Sequence, residues 1–248
     1  GQVDLLNAVA LASREENRKS IVCLNAGSPV GMAGWLEKVD GVMQTWYGGQ
    51  QGTGALAEIL LGKVVSPSGK LPFTVPTRFE ENPTYTTEGD YTRFPGNNEM
   101  VCSFEEGLDV GYRYYDKPEH QSKVLFPFGH GLSYTTFETR KANFEHDDAN
   151  GTCTVLVKNT GNFRGAEVLQ VYVGEKDRFP AKQLQGFLKV WLGPGEERSV
   201  AIDVNVRRAV EFFDADADKW SVSRGSVHNV FVGTSAADAE IVGSIKVN

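Results

Sequence analysis

Metal-ligating and redox-active side chains are scarce in this sequence: its 248 residues include four histidines and three cysteines. His120, His130, His146 and His228 form no helical pair of the kind zinc takes, and Cys23, Cys102 and Cys153 lack metal-ligand spacing. Cys23 falls in an apolar run and Cys153 in an alternating one, so free thiols are expected, with a Cys102 disulfide as the alternative. Positive charge is also short, with 25 Lys and Arg against 32 Asp and Glu, for a net charge of -7. Phosphate binding needs a basic surface, so nucleic acid is excluded as a partner. No apolar run reaches the roughly 18–20 residues that a helix needs to cross a bilayer, so no membrane partner is expected. There is no Gly-x-Ser-x-Gly elbow, and Pro29 after Ser28 removes the backbone donor an oxyanion hole would use.

The order of apolar patterns is informative. Val3, Leu6, Val9 and Ala10 repeat at helical spacing, and the polar stretch Ser13 to Asn17 should close that helix. Ile21 to Leu24 is apolar on both faces, as in a parallel strand covered on both sides. Met32, Trp35, Leu36 and Val39 give a second helical stripe, opened by Pro29, and Gly41 to Tyr47 reads as a second parallel strand. A helix over Ala55 to Leu61 ends at Gly62, and Leu71 to Val75 reads as a third short strand, marked by Pro72 as edge or irregular. This α-β-α-β-α-β order is a doubly wound element. It is also unfinished: two or three parallel strands cannot cover both faces and both edges, and an uncovered strand such as Ile21 to Leu24 would aggregate. The remaining strands are expected from other polypeptide. The chain begins at Gly1 without an initiator Met, in keeping with a natural amino terminus elsewhere.

Residues 77–131 are irregular and rich in Pro, Gly, Asn, Tyr and acids, with aromatic runs at Val110 to Tyr115 and Leu125 to Phe128 that argue for packing across domains. Beyond about Thr135 the period changes to two. Cys153 to Val157, Glu167 to Val173, Leu184 to Trp191, Ser199 to Val204, Trp220 to Val222, Val227 to Val232 and Ile241 to Val247 read as strands of an antiparallel sandwich. The triplet Asn150-Gly-Thr152 is either a glycosylation acceptor or a polar hairpin turn.

Several residue groups invite a chemical reading. The loop Gly48-Gly-Gln-Gln-Gly-Thr-Gly54 follows a strand and opens a helix, but it lacks the Gly-Lys-Ser/Thr ending of a phosphate loop; a tight turn is the simpler account. Gly129-His-Gly131 fits a packed histidine. Glu88, Asp90, Glu99, Glu105, Glu106 and Asp109 are loop carboxylates, either solvated or, as a pair, suited to glycoside hydrolysis. Trp46 and Tyr47 stand where a strand runs out toward the ligand crevice of an open α/β sheet. Their rings could stack on a sugar or serve as core contacts.

The runs Asn25-Ala-Gly-Ser-Pro-Val30, Trp46-Tyr-Gly-Gly-Gln-Gln-Gly52, Leu61-Gly-Lys63 and Pro67-Ser-Gly-Lys-Leu-Pro-Phe-Thr-Val-Pro76 resemble the second domain of β-glucosidases of glycoside hydrolase family 3. Val110-Gly-Tyr-Arg-Tyr-Tyr-Asp116 and Phe126-Pro-Phe-Gly-His-Gly-Leu-Ser-Tyr-Thr-Thr-Phe137 resemble its interdomain signature. Val157 to Gly161, Gly165 to Val173 and Leu184 to Val190 resemble its fibronectin-III-like domain. The resemblance implies a partial α/β sandwich domain over 1–76, a linking segment over 77–131 and a fibronectin-III-like β-sandwich over 132–248. It further implies a three-part enzyme in which a barrel-like domain supplies an Asp nucleophile and the α/β domain a Glu acid/base, for double displacement with retention and no metal or organic cofactor. That Glu should lie upstream of Gly1-Gln-Val-Asp4, so no catalytic residue is assigned in this chain. The substrate-binding candidates are Trp46 and Tyr47, with residues of the 88–109 loop also near the cleft. The expected partners are the upstream barrel and α/β portion, as a separate chain or cleaved fragment, and a β-glucoside or oligosaccharide, with homo-oligomerisation left open. A β-xylosidase or arabinofuranosidase of the same family, or a non-enzymatic carbohydrate-binding or adhesion module, is the alternative.

Overall fold

A computed structural model describes residues 1–62, 66–85, 93, 96, 101–175 and 182–248. Helix α1 (Gln2–Glu15) runs further than the polar stretch suggested, and the chain leaves it at Asn17, in the left-handed region at φ 52°. Strands β1 (Ile21–Leu24) and β2 (Gly41–Gln44) pair in parallel, Ile21 opposite Gly41 and Leu24 opposite Gln44. The stripe from Met32 to Val39 is not an α-helix: only a 3-10 turn forms, at Leu36–Lys38. Gly31 and Gly34, the latter at φ 80°, break the run, and the apolar spacing instead reflects burial of Met32 and Trp35 beneath the sheet. Helix α2 (Gly52–Leu60) follows, with Gly62 at φ 65° just past its end.

The expected third strand also departs from the parallel plan. Strand β3 (Val75–Pro76) has two residues and pairs antiparallel with β4 (Val124–Phe126), which follows the short helix α3 (Tyr112–Tyr115). Pro72 cannot donate to a ladder, and Leu71 is held instead by its N–H to His130 O (2.8 Å) and by Gly129 N–H to its carbonyl (2.7 Å). Among the described residues the parallel sheet therefore has two strands. One flank of α1 is covered, through Leu6 and Ala10, while Leu5, Val9 and Leu11 remain 52–67% exposed and Ile21 on β1 is 52% exposed. No residue of α2 is buried.

The sandwich is built from β5 (Phe137–His146), β6 (Asn150–Asn159), β7 (Gly165–Glu175), β8 (Gln183–Leu192), β9 (Glu197–Asn205), helix α4 (Val206–Val210), β10 (Glu211–Asp214), β11 (Lys219–Val222), β12 (Val227–Gly233) and β13 (Glu240–Lys246). One sheet has the order β13-β12-β7-β8 and the other β5-β6-β9, with β10-β11 as a separate pair. Alternation along β6 buries Gly151, Cys153, Val155, Val157 and Asn159. These meet Leu169, Val171, Val173, Val190, Val230 and Val232 of the facing sheet in one core. Asn159 is a buried polar residue with its amide fully used: Oδ1 accepts from Thr135 Oγ1 (2.7 Å) and Gly161 N–H (3.0 Å), and Nδ2 donates to Phe163 O and Leu192 O. Asn150 opens β6 from a turn in which Asp147 Oδ1 accepts two backbone N–H groups, which also holds the Asp147 carboxyl below its ordinary range.

The segment before β5 is clamped to the outer face of the four-stranded sheet. Tyr112 packs on Tyr172 and accepts the Leu184 N–H (2.9 Å). Ala236 N–H donates to Phe128 O (2.8 Å), and Gly129 lies where a Cβ would strike Gln170 and Ser235. Two largely buried ion pairs add to this, Lys70–Glu167 (2.6 Å) and Lys182–Asp116 (2.8 Å).

Candidate functional site

In an open α/β layer, ligands gather outside the carboxyl ends of the parallel strands. Here those ends are tied to each other. Leu24 O accepts both the N–H and the hydroxyl of Thr45 (2.9 and 3.0 Å), and Gln44 Nε2 donates to Ala26 O. The next residue, Trp46, sits at φ 54°, a left-handed conformation uncommon for a bulky side chain. This turn stops β2 and directs the indole onto Phe73, edge to face at 5.4 Å. Tyr47 is 76% exposed and lies across the loop after β1, close enough that a Cβ on Gly27 would sit 2.9 Å from its ring. The structure thus places Trp46 and Tyr47 in succession beyond β2 in different settings, one half-buried against Phe73 and one open. The glycine loop behaves as a close turn: a Cβ on Gly48 would lie 2.7 Å from Gly52 Cα as the chain enters α2.

Sequence reasoning passed over a groove of about 490 Å³ lined by Gly31, Ala33, Thr77, Arg78, Phe79 and Glu80. It joins the loop after β1 to the residues after β3. Phe79 is 63% exposed and meets Tyr85 edge to face. A cation, a carboxylate and an aromatic ring around one groove can hydrogen-bond hydroxyls and stack on a C–H face. The only prior signal was Pro76 followed by an amphipathic run, and burial of the loop at Met32 decides the geometry. A second groove, of about 380 Å³, lies between the edge strands β8 and β9.

Of the loop carboxylates, Glu105, Glu106 and Asp109 lie among the described residues. Asp109 is bound to Lys117, and Glu106 has one buried carboxylate oxygen without a hydrogen-bond partner. Glu88, Asp90 and Glu99 lie outside the described residues. Near the sheet, Asp40 is engaged by Lys19 and the Ser20 N–H (2.9 Å), which keep its carboxyl below the ordinary range. His130 stacks on Phe126 at 4.9 Å, and burial, with Lys70 nearby, pushes its imidazole pKa down. Among the described residues no group of three or more His, Cys, Asp or Glu could hold a metal ion. The three cysteines are free.

These features define a two-part protein, in which an α/β layer open along one side carries aromatic rings at its strand ends and is clamped to an antiparallel sandwich. Residues 1–134 match the glycosyl hydrolase family 3 C-terminal domain and residues 167–236 a fibronectin type III-like domain. The chain belongs to glycoside hydrolase family 3. It is 39% identical to thermostable β-glucosidase B of Acetivibrio thermocellus, a match covering 98% of this chain and 31% of that protein. The crystal structure of a β-glucosidase from Kluyveromyces marxianus superposes with a TM-score of 0.86 at 38% identity, over 98% of this chain and 28% of that one. DesR, a β-glucosidase from Streptomyces venezuelae in complex with D-glucose, gives 0.85 at 38% identity, over 100% of this chain and 30% of that one. The chain spans less than a third of the length of the curated relatives named here and in the yeast, at 31% and 28%.

Proposed function

We propose that this chain is the carboxy-terminal part of a retaining β-glucosidase that hydrolyses terminal β-D-glucosyl residues, with nucleophile and acid/base supplied by an upstream barrel and α/β portion. One observation carries the reading: among the described residues the parallel sheet has two strands, and its helix and strand leave Leu5, Val9, Leu11 and Ile21 in water. Each such side chain, already partly buried, would contribute about 1–2 kcal/mol on covering its remaining surface, so a companion layer docked there is favoured. The relatives named above are β-glucosidases, which supports the substrate class.

In this reading residues 1–76 complete the crevice, 77–131 link the parts and 132–248 form the sandwich. Trp46 and Tyr47 line the substrate side, Tyr47 as an open ring and Trp46 as the residue that sets the loop. The chemistry is double displacement through a covalent glycosyl-enzyme, in two steps that each need a carboxylate placed on either side of the anomeric carbon.

The test is reconstitution. The purified chain by itself is expected to release no phenol from an aryl β-glucoside, and activity should appear when the upstream portion is co-expressed. Turnover by the rigorously purified chain alone would overturn the assignment.

A further inference from the structure

Strands β10 and β11 form a two-stranded sheet of their own beside the two sheets of the sandwich. The linking segment meets the outer face of the four-stranded sheet along β7 and β8, at Tyr172, Leu184 and Lys182, and again just past the carboxyl end of β12, where Ala236 N–H meets Phe128 O. β11 leads into the other end of β12, at Val227.

The face this pair presents is unusual for a surface hairpin. Phe213 and Trp220 are direct cross-strand partners, with ring centroids 5.8 Å apart and planes at 72°, and Glu211 pairs with Val222 beside them. Side chains alternate along a strand, so Glu211, Phe213, Trp220 and Val222 share one face. Trp220 is 65% exposed and Phe213 51%. The border is polar: Arg207, whose side chain is 81% exposed, pairs with Glu211 at 2.7 Å. At the tip, Asp214 Oδ1 accepts the N–H groups of Asp216 and Ala217, both at 3.1 Å, which fixes the turn. Two rings with a rim of guanidinium and carboxylates match a ligand that has apolar C–H faces and a fringe of hydroxyls.

Other occupants fit less well. Asp214, Asp216 and Asp218 at the tip repel phosphate-bearing surfaces, whether lipid or nucleic acid. A specific protein partner needs about 800 Å² on each side, more than two four-residue strands offer. A glycan chain needs only a ring or two to stack on.

We propose that the Phe213–Trp220 face of the β10–β11 hairpin is a binding site for a neutral glycan chain, separate from the strand-end loops at Trp46. It goes beyond the glucosidase reading and does not depend on it.

The test is native affinity electrophoresis of the full polypeptide in gels cast with soluble mixed-linkage β-glucan or with xylan, read alongside hydrolysis of an aryl β-glucoside. The protein should be retarded by at least one polymer, and Trp220→Ala or Phe213→Ala should weaken retardation about tenfold, the scale of one lost aromatic contact. Aryl-glucoside hydrolysis should be unchanged in both variants, which also shows that they fold. No retardation by either polymer, or equal retardation of the variants, overturns the proposal. So does strong protection of Trp220 from oxidation in glycan-free protein, since its own polypeptide or a second copy would then cover the face.

Discussion

Removing one member of the Lys182–Asp116 pair should unfasten the clamp between the linking segment and the sandwich. Asp116 follows α3, Lys182 precedes β8, and their charged atoms are 2.8 Å apart with side chains 9% and 13% exposed. Asp116 Oδ2 has no hydrogen-bond partner, so Lys182 is the main compensation for a buried carboxylate. Leaving one charge of a buried pair uncompensated costs about 3–5 kcal/mol, whereas replacing both with apolar groups is often neutral. Lys182→Met keeps the aliphatic stem and loses in addition the contact of Nζ with the Phe231 ring, about 0.5–1 kcal/mol. Lys182→Met and Asp116→Leu are therefore each expected to destabilise by about 3 kcal/mol or more, and the double variant to fall within about 1 kcal/mol of the parent. Urea unfolding with an unchanged slope measures all three. The pH response adds an independent check. Burial pushes the Asp116 carboxyl above its ordinary value and Lys182 opposes that shift. A carboxyl raised in the folded state contributes most stability below its unfolded pKa and loses it as pH rises through the folded pKa. Without the lysine the shift grows, so the cost of Lys182→Met should shrink on acidification. Additive single variants, or a cost that grows toward acid, would refute the reasoning.

Leu169 is fully buried between the sheets, and Leu169→Ala should cost about 2–5 kcal/mol in the same unfolding assay. Cys153 is buried, with its thiol pushed up to about 11 by desolvation, and should resist alkylation until the sandwich unfolds. Cys23 is exposed on β1 and should label quickly in the chain alone, then become protected when the portion that completes the sheet is supplied; equal labelling in both samples would argue against docking along β1. In the assembled enzyme, Trp46→Ala should weaken substrate binding by about 1–3 kcal/mol, and an unchanged KM with normal folding would return the indole to a core role beside Phe73.

Where the local pattern and the final environment agree, the sequence was sufficient. A period of two marked β6, β9 and β12, because it fixes which side chains face the core whatever the partner strand, and apolar runs between turn signals marked β7 and β8. The doubly apolar Ile21 to Leu24 announced a strand that needs cover on both sides, and the two-stranded sheet leaves that need visible. Strand β5 escaped notice because its pairing with β6 shifts between Arg140 and Asn143, with Lys141 at φ 50°, which breaks the alternation. β10 has four residues without alternation and is defined by its partner β11.

Long-range contacts decided the rest. The residues read as a third parallel strand chose β4, tens of positions away, because Pro72 lacks a donor and His130 offers a backbone acceptor. The Met32 to Val39 stripe became a buried turn, since glycine at φ 80° relaxes the helix while Trp35 gains more by entering the core. Trp46 could be named from its place at a strand end, but its left-handed turn onto Phe73 depends on a ring that the chain delivers only after folding back. Side-chain periodicity is a local property that sequence displays directly; which distant surface satisfies it is settled only when the chain packs.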